Sequence, residues 1–185
     1  WYGLQLQLLL YLQAACEGLD GNPAGAFYFT MKDPMVDTAD VKEAAEKAIA
    51  KKLHLKGIVL ADVDVVEALD SEPGYSFTKI FNADSSVASS SDGYTPEEMA
   101  ALLAHAKKMA AELADRIRSG EITPSPAVIR DWNACQWCDC AGVCKLDTSI
   151  PGHEKRELPP LSKQELLTRM ANDTDAPGNE EDTSP

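Results

Sequence analysis

The sequence predicts an α/β fold that is rich in helix. Three observations support this class: a long, well-capped helical stretch at residues 96–119, an apolar helical stretch at residues 3–16, and short strand-like segments at residues 25–31 and 56–60. Both kinds of element occur within 185 residues, a length that fits one domain, or one domain with appendages, and that suffices for a hydrophobic core.

The first predicted element is a helix over residues 3–16. Its apolar side chains recur at helical spacing and cover most of its circumference, so we expect it to be buried between other elements; they are Leu4, Leu8, Leu9, Leu12 and Ala15. Cys16 lies at its end, where a buried small hydrophobic side chain is expected. Gly18, Gly21, Asn22 and Pro23 then break the chain.

The middle of the sequence indicates short strands and helices. Residues 25–31 have the aromatic and β-branched content of a strand, which Asp33-Pro34 closes. Residues 39–52 predict an exposed helix that is rich in Ala, Lys and Glu. Residues 56–60 predict a strand or extended segment, followed by a helical turn through Leu69. Residues 71–94, which include Phe77, Ile80 and Phe81, suggest a loose hairpin or surface loop.

The clearest helix covers residues 96–119. Thr95 is a good N-cap, Pro96 suits the first helical position, and Glu98 completes a capping box. One apolar stripe runs along this helix and Gly120 ends it; the stripe consists of Met99, Leu102, Leu103, Ala106, Met109, Leu113 and Ile117.

The charge balance excludes one class of function. The formal net charge is −13, from 30 acidic and 17 basic side chains. A free-standing basic nucleic-acid binder is excluded, because non-specific DNA affinity comes from Lys and Arg side chains that displace counterions. The excess of acidic side chains lies in residues 1–95 (14 acids, 7 bases) and in residues 172–185 (5 acids, no base). We expect residues 172–185 to be a disordered tail. Residues 96–171, with 11 acids and 10 bases, are nearly neutral.

The chain begins at Trp1 and enters an apolar run without an N-cap, so we expect an internal piece of a longer protein. No apolar stretch reaches the roughly 20 residues that a membrane helix needs, so we expect no membrane partner. The run from Leu4 to Leu12 lacks the basic region and cleavage pattern of a secretory signal.

Four of the five cysteines, Cys135, Cys138, Cys140 and Cys144, lie within ten residues. Such clustering is typical of a metal site, either zinc or an iron–sulfur cluster. Cys135, Cys138 and Cys144 could hold one face of a metal centre, whereas Cys138 and Cys140, one residue apart, cannot both easily serve the same centre. The assignment of Cys140 therefore stays open. His153 is a remote candidate for a zinc ligand.

Gln7 and Tyr11 are four residues apart, so they project from the same face of the first helix. A glutamine amide both donates and accepts hydrogen bonds, and tyrosine adds a hydroxyl group. On an otherwise apolar helix this pair suggests a cleft, although a satisfied pair within the core is the alternative. Gln5 and Gln13 are the glutamines expected to face solvent.

The helix with Gln7-x-x-x-Tyr11 resembles that of RecB-type nuclease domains in the PD-(D/E)xK superfamily. The pattern Cys135-x2-Cys138-x5-Cys144 resembles the iron–sulfur segment of the B subunits of bacterial AddAB-type helicase–nucleases. The resemblance covers residues 1–158, as the C-terminal portion of the nuclease domain with a cluster segment at 131–147. A short amphipathic segment at 159–171 and the acidic tail at 172–185 follow.

The resemblance implies a [4Fe–4S] cluster held by Cys135, Cys138 and Cys144, with a fourth ligand upstream and Cys140 as an extra. It implies that Gln7 and Tyr11 are accessory residues that shape an active-site cleft. The parent would be an ATP-dependent DNA exonuclease of the bacterial cytoplasm, which forms a heterodimer with an A subunit, binds DNA, uses Mg²⁺ and processes double-strand ends for recombinational repair.

In that family the metal-binding Asp and the Asp-x-Lys strand precede the Gln-x-x-x-Tyr helix. No segment of this sequence replaces these catalytic residues well. Asp40-Val41-Lys42 opens a polar helix and does not end an apolar strand, and Asp62 and Asp64 have no Lys two residues later. We therefore expect this chain alone to be inactive, since such nucleases need carboxylates for Mg²⁺ and a Lys.

Two other functions compete with the nuclease interpretation. One is a zinc-binding cysteine-rich interaction module that uses these cysteines and perhaps His153. The other is a thiol oxidoreductase built on Cys135-x-x-Cys138. This function is disfavoured, because the sequence does not predict a strand before this motif or a helix after it.

Overall fold

The computed structural model describes residues 2–31, 48–70, 76–77, 79–89 and 91–174, with the side chains described as far as residue 172. The chain forms a mixed α/β fold with two small sheets, as predicted. The helices with both ends inside the described residues are α1 (Gln7–Leu19), α2 (Val63–Leu69), α3 (Pro96–Arg118), α4 (Ala141–Cys144) and α5 (Lys163–Thr174). A 3₁₀ turn covers Ala134–Trp137.

Each sheet has three strands in the described part of the chain. The first contains β1 (Gly25–Tyr28), β2 (Lys56–Leu60) and β3 (Gly93–Tyr94) in that order. β2 lies in the middle, antiparallel to β1 and parallel to β3. The second contains β4 (Ala127–Ile129) between β5 (Trp132–Asn133) and β6 (Arg156–Glu157).

The first helix differs from its prediction at both ends. It begins at Gln7, after Leu6, whose side chain makes no capping hydrogen bond, and the chain before it includes Gly3 with a positive φ of 72°. It continues through Gly18 to Leu19, and the next residue, Asp20, has the left-handed conformation. The expected burial was also wrong: α1 packs on α3 and β1, but Leu12 is its one buried residue and Cys16 is only half-buried.

The prediction for α3 is confirmed. The Thr95 hydroxyl accepts from the backbone N–H of Glu98, and a Glu98 carboxylate oxygen accepts from the backbone N–H of Thr95 at 3.0 Å. The buried part of the stripe is Met99, Leu102 and Ala106. Ile117 at the far end is 77% exposed, since the last turns of α3 extend beyond the elements that cover its beginning.

The core beside the first sheet includes residues from a segment that the sequence suggested as a loose hairpin or surface loop. Phe77 and Ile80 are each 2% exposed and pack with Val59 and Val66. The ring of Phe77 stacks on that of Phe27, with the ring centroids 5.4 Å apart. The backbone turns at this point, with a bridge between Phe81 and Val87, but its apolar side chains point inward.

Several predicted segments lie wholly or partly outside the described residues. Of the predicted helix at 39–52, residues 48–52 are described and helical. The Asp33-Pro34 and Asp40-Val41-Lys42 segments fall outside. α5 runs to Thr174, three residues into the stretch predicted as a tail, and residues 175–185 are not described. No helix in the described part of the chain is both long enough and apolar enough to cross a membrane.

Lys163, at the start of α5, links this helix to the first sheet through two contacts. Its ammonium donates to the Gly93 carbonyl and lies 4.4 Å from the centroid of the Tyr94 ring. Burial raises the pKa of the nearby Asp92 carboxyl, while the positive charge of Lys163 acts to lower it. Burial also raises the pKa of Tyr94, and the charge of Asp92 adds to this effect. Lys163 thus offsets a half-buried negative charge.

Replacing Lys163 by Met should therefore destabilise the chain by about 1–2 kcal/mol, since a hydrogen bond and a cation–π contact are lost. Without the ammonium the pKa of Asp92 rises further, so the loss should grow as the pH rises through that pKa and shrink in acid, where Asp92 is protonated. Urea unfolding at neutral and acidic pH tests this. Lys107→Met, at an exposed site on α3, is the control; equal effects of both variants would contradict the prediction.

Candidate functional site

Two features predicted from the sequence lie on different parts of the fold: the polar face of α1 and the cysteine segment at residues 135–144. On α1, the Gln7 amide Nε2 donates to the Tyr11 hydroxyl oxygen at 3.0 Å. Both residues are exposed, and 66% of Tyr11 is accessible to solvent. The pair is therefore not a satisfied pair within the core. It is a preformed polar surface on the helix.

The hydrogen bond leaves other donor and acceptor groups of the pair available to a ligand. Because the Tyr11 oxygen accepts from Gln7, its own proton can point outward, and Gln7 keeps its carbonyl oxygen and a second amide proton. The other glutamines of α1 and its approach differ. Gln13 is half-buried, contrary to the expectation that it faces solvent, and donates to Glu17 at 3.3 Å, while Gln5 is exposed as expected.

The opposite side of α1 borders an apolar groove of about 560 Å³ between α1, α3, the second sheet and α5. Leu6 and Leu9 line it from the start of α1, and Leu102, Trp132 and Met170 are among the residues that close it. α1 thus separates an apolar side, which packs on the rest of the fold, from the polar side that carries Gln7 and Tyr11.

The possible catalytic carboxylates do not form a metal site among the described residues. Asp62 is the N-cap of α2, and its carboxylate accepts from the backbone N–H groups of Asp64 and Val65 at 3.0 and 3.2 Å. No three His, Cys, Asp or Glu side chains in the described part of the chain surround a common point. The residues described therefore do not fit a Mg²⁺ site.

The cysteine segment follows directly from the β4–β5 hairpin. The Asn133 side chain caps the 3₁₀ turn by accepting from the Cys135 N–H at 2.8 Å. The Gln136 amide donates to the Asp131 carbonyl at 3.1 Å, which ties the turn to the hairpin tip. A second turn, α4, ends at Lys145 in the left-handed conformation. Two short turns thus hold the cysteines next to a small sheet.

All four cysteines in this segment are free thiols. Cys135 is half-buried, whereas Cys138, Cys140 and Cys144 are exposed. Thiolates are suitable ligands for an iron–sulfur cluster or for zinc, so the donor chemistry fits the expected group. The side chains do not converge on one point in the structure, and His153 does not join them in a group of three ligands.

His153 lies just beyond this segment, and its Nδ1 atom is buried without a hydrogen-bond partner in the described structure. Its backbone N–H donates to the Ile150 carbonyl at 3.0 Å. The nearby Asp147 carboxylate accepts two hydrogen bonds from Ser149, which lower its pKa, and the charge of His153 lowers it further.

Comparison with known proteins links the two features. The sequence model of the PD-(D/E)XK nuclease superfamily matches residues 2–145, which include the polar face of α1 and all four clustered cysteines. The same span covers both small sheets except for β6.

The B subunits of several bacterial ATP-dependent helicase/deoxyribonucleases are similar to this chain. That of Alkaliphilus metalliredigens (strain QYMF) is 32% identical over 184 residues, 94% of this chain and 16% of that protein. That of Clostridium tetani (strain Massachusetts / E88) is 36% identical over 90% of this chain and 16% of that protein. That of Moorella thermoacetica (strain ATCC 39073 / JCM 9320) is 37% identical over 85% of this chain and 15% of that protein. The chain thus spans about one sixth of the length of these relatives.

Proposed function

This chain belongs to the PD-(D/E)XK nuclease superfamily, and we propose that it forms part of the nuclease domain in the B subunit of an ATP-dependent helicase/deoxyribonuclease. The observation that carries the proposal is the family match over residues 2–145 together with the exposed, hydrogen-bonded pair of Gln7 and Tyr11. The whole protein would act with a partner protein on DNA ends in the bacterial cytoplasm, in recombinational repair.

In this proposal Tyr11 contacts the DNA backbone beside a metal centre that other parts of the longer protein complete, and Gln7 is a positioning residue for Tyr11. The Tyr11 hydroxyl would donate its proton to a phosphate oxygen of the DNA strand, while its oxygen accepts from the Gln7 amide. Mg²⁺ would be held by carboxylates that are not among the described residues, since those residues do not form a site for it.

The cysteine segment has a structural role in the same proposal. Cys135, Cys138 and Cys144 would hold a [4Fe–4S] cluster, a group that when bound supplies a covalent cross-link between segments of the domain. Since a ligand set of this kind is not organised in an unfolded chain, the free energy of binding stabilises the fold. The match of one nuclease family across both features supports this assignment over a free-standing zinc-binding module.

The test is Tyr11→Phe in the complete helicase–nuclease complex. We expect nuclease activity to fall by about 10- to 100-fold, because a hydrogen bond to a charged phosphate oxygen is lost. DNA unwinding and the melting temperature should not change, because Tyr11 is exposed and the substitution keeps its ring.

The matched control is Gln13→Ala, on the same helix but outside the pair. Gln7→Ala should reproduce the loss of nuclease activity, and Gln13→Ala should not. Full nuclease activity in Tyr11→Phe, or an equal loss of unwinding and cleavage, would refute the assignment of this face to the nuclease site.

A further inference from the structure

A pocket of about 260 Å³ lies between the start of α1 and the first sheet. Leu8 and Leu9 line it from the helix, and Tyr28 and Lys56 line it from the sheet. Tyr28 and Lys56 are paired directly across β1 and β2, so their side chains stand on the same face of the sheet. The pocket therefore has an apolar wall on the helix side and a wall with a hydroxyl and an ammonium group on the sheet side.

This pocket borders the polar pair of α1. Leu8 and Tyr11 are three residues apart in the helix. Residues at this spacing are neighbours on a helix surface, with about 5–6 Å between their Cβ atoms. Leu8 also follows Gln7 directly in the first turn. An extended ligand that lies over Tyr11 can therefore continue across Leu8 to Tyr28 and Lys56.

The polar groups of Tyr28 and Lys56 are available to such a ligand. Both residues are exposed, and 47% of Tyr28 is accessible to solvent. Within the described part of the chain, neither side chain has a hydrogen-bond or ion-pair partner, whereas the Arg116 guanidinium is paired with Glu121. In a chain with 30 acidic and 17 basic side chains, an ammonium that no described carboxylate neutralises remains able to bind an anion.

The chemistry of these two groups matches a phosphate. Both are hydrogen-bond donors, and the ammonium is positively charged. Lysine and hydroxyl side chains are among the groups that contact phosphate oxygens of DNA, and such contacts position a strand without reading its sequence. An acidic peptide would also match the ammonium. The position beside Tyr11, to which the proposed function gives a DNA contact, favours the DNA strand.

We propose that Lys56 and Tyr28 bind a phosphate of the same DNA strand that Tyr11 contacts. The inference rests on the proposed function and extends its DNA-binding surface from α1 to the β1–β2 pair. The Lys56 ammonium neutralises the phosphate, and the Tyr28 hydroxyl donates to one of its oxygens. Leu8 lies beneath the strand between this contact and the one at Tyr11.

The test measures cleavage of a single-stranded oligonucleotide by the complete helicase–nuclease complex, at a fixed magnesium concentration and increasing concentrations of potassium chloride. Lys56→Gln should lower kcat/KM by about 5- to 10-fold with little change in kcat, because a phosphate contact made equally in the bound and transition states is lost. The plot of log kcat/KM against log salt concentration should become shallower by about 0.7, the change in slope for one phosphate contact on a single strand.

Three further variants separate charge from shape. Tyr28→Phe should lower kcat/KM by about threefold and leave the salt slope unchanged, because the lost hydroxyl is neutral. Lys56→Arg keeps the charge and should keep the slope. Lys107→Gln removes the same charge from an exposed site on α3 and should match wild type. The melting temperature should not change in any of them, because the substituted side chains are exposed.

Two results would overturn the proposal. A Lys56→Gln complex with the kcat/KM and salt slope of wild type would show that the strand does not reach this pocket. An equal change of slope in Lys107→Gln would show an effect of net charge alone. The proposed function is decided separately by Tyr11→Phe: if that variant loses cleavage while Lys56→Gln does not differ from wild type, α1 belongs to the nuclease site and the pocket does not.

Discussion

Replacing Cys138 by serine is expected to destabilise this domain by more than about 4 kcal/mol, the range seen when a structural metal centre is lost. Cys138 lies at the junction of the two turns, where its N–H bonds back to Cys135 and its carbonyl accepts from Ala141. As a ligand from this position it would tie both turns to the cluster. Removing it should release iron and lower the melting temperature by roughly 10 °C.

The measurement is anaerobic thermal unfolding followed by circular dichroism, with the iron content determined on the same samples. In the complete complex, the same substitution should weaken binding to DNA ends. Cys16→Ser makes the same chemical change on α1 and should leave both the iron content and the melting temperature as in wild type. An unchanged melting profile for Cys138→Ser would argue against a structural role for the cluster.

A second large effect is expected for Gly57→Ala in β2. A methyl group at this position would collide with the Ala26 carbonyl oxygen and would lie 2.8 Å from the Phe27 Cα, and both are backbone atoms of β1. Backbone that is paired across a sheet cannot move aside as a side chain can, so β1 must shift or separate. Because Phe27 stacks on the buried Phe77, the shift also disturbs the core. We expect a loss of about 3–5 kcal/mol.

The matched control is Gly18→Ala in α1, where an added methyl group would meet nothing within 4 Å. Alanine is a better helix former than glycine, so this variant should be more stable than wild type by about 0.5–1 kcal/mol. Urea unfolding of the three proteins should thus give shifts of opposite sign. A Gly57→Ala midpoint close to that of wild type would show that β1 tolerates the methyl group.

The elements that could be predicted from the sequence are those that depend on residues only a few positions apart. The capping box of Thr95 and Glu98 depends on residues three apart, and the strand at Lys56–Leu60 has the bounds that its sequence predicts. The contact of Gln7 with Tyr11 follows from their spacing of four residues. The structure added that this pair faces solvent, which the sequence left open.

The elements that could not be predicted depend on segments distant in sequence. Phe77 and Ile80 lie in a polar, glycine-containing stretch, yet they are buried because β2 and α2 pack over them. Lys163 bonds to Gly93 across 70 residues, and no local pattern indicates that pairing. The close approach of backbone at Gly57 exists only because β1 lies against it.

The sequence by itself determined the capping box of α3, the polar pair on α1, the spacing of the clustered cysteines and, through its family resemblance, the class of domain. These follow from residue types at fixed short spacings, where a hydrogen bond or a ligand set needs no distant partner. Only the tertiary structure decided which faces are buried, how α5 is fastened and why Gly57 must lack a side chain. Burial and close approach are set by contacts between distant segments, and the local sequence of either segment does not specify them.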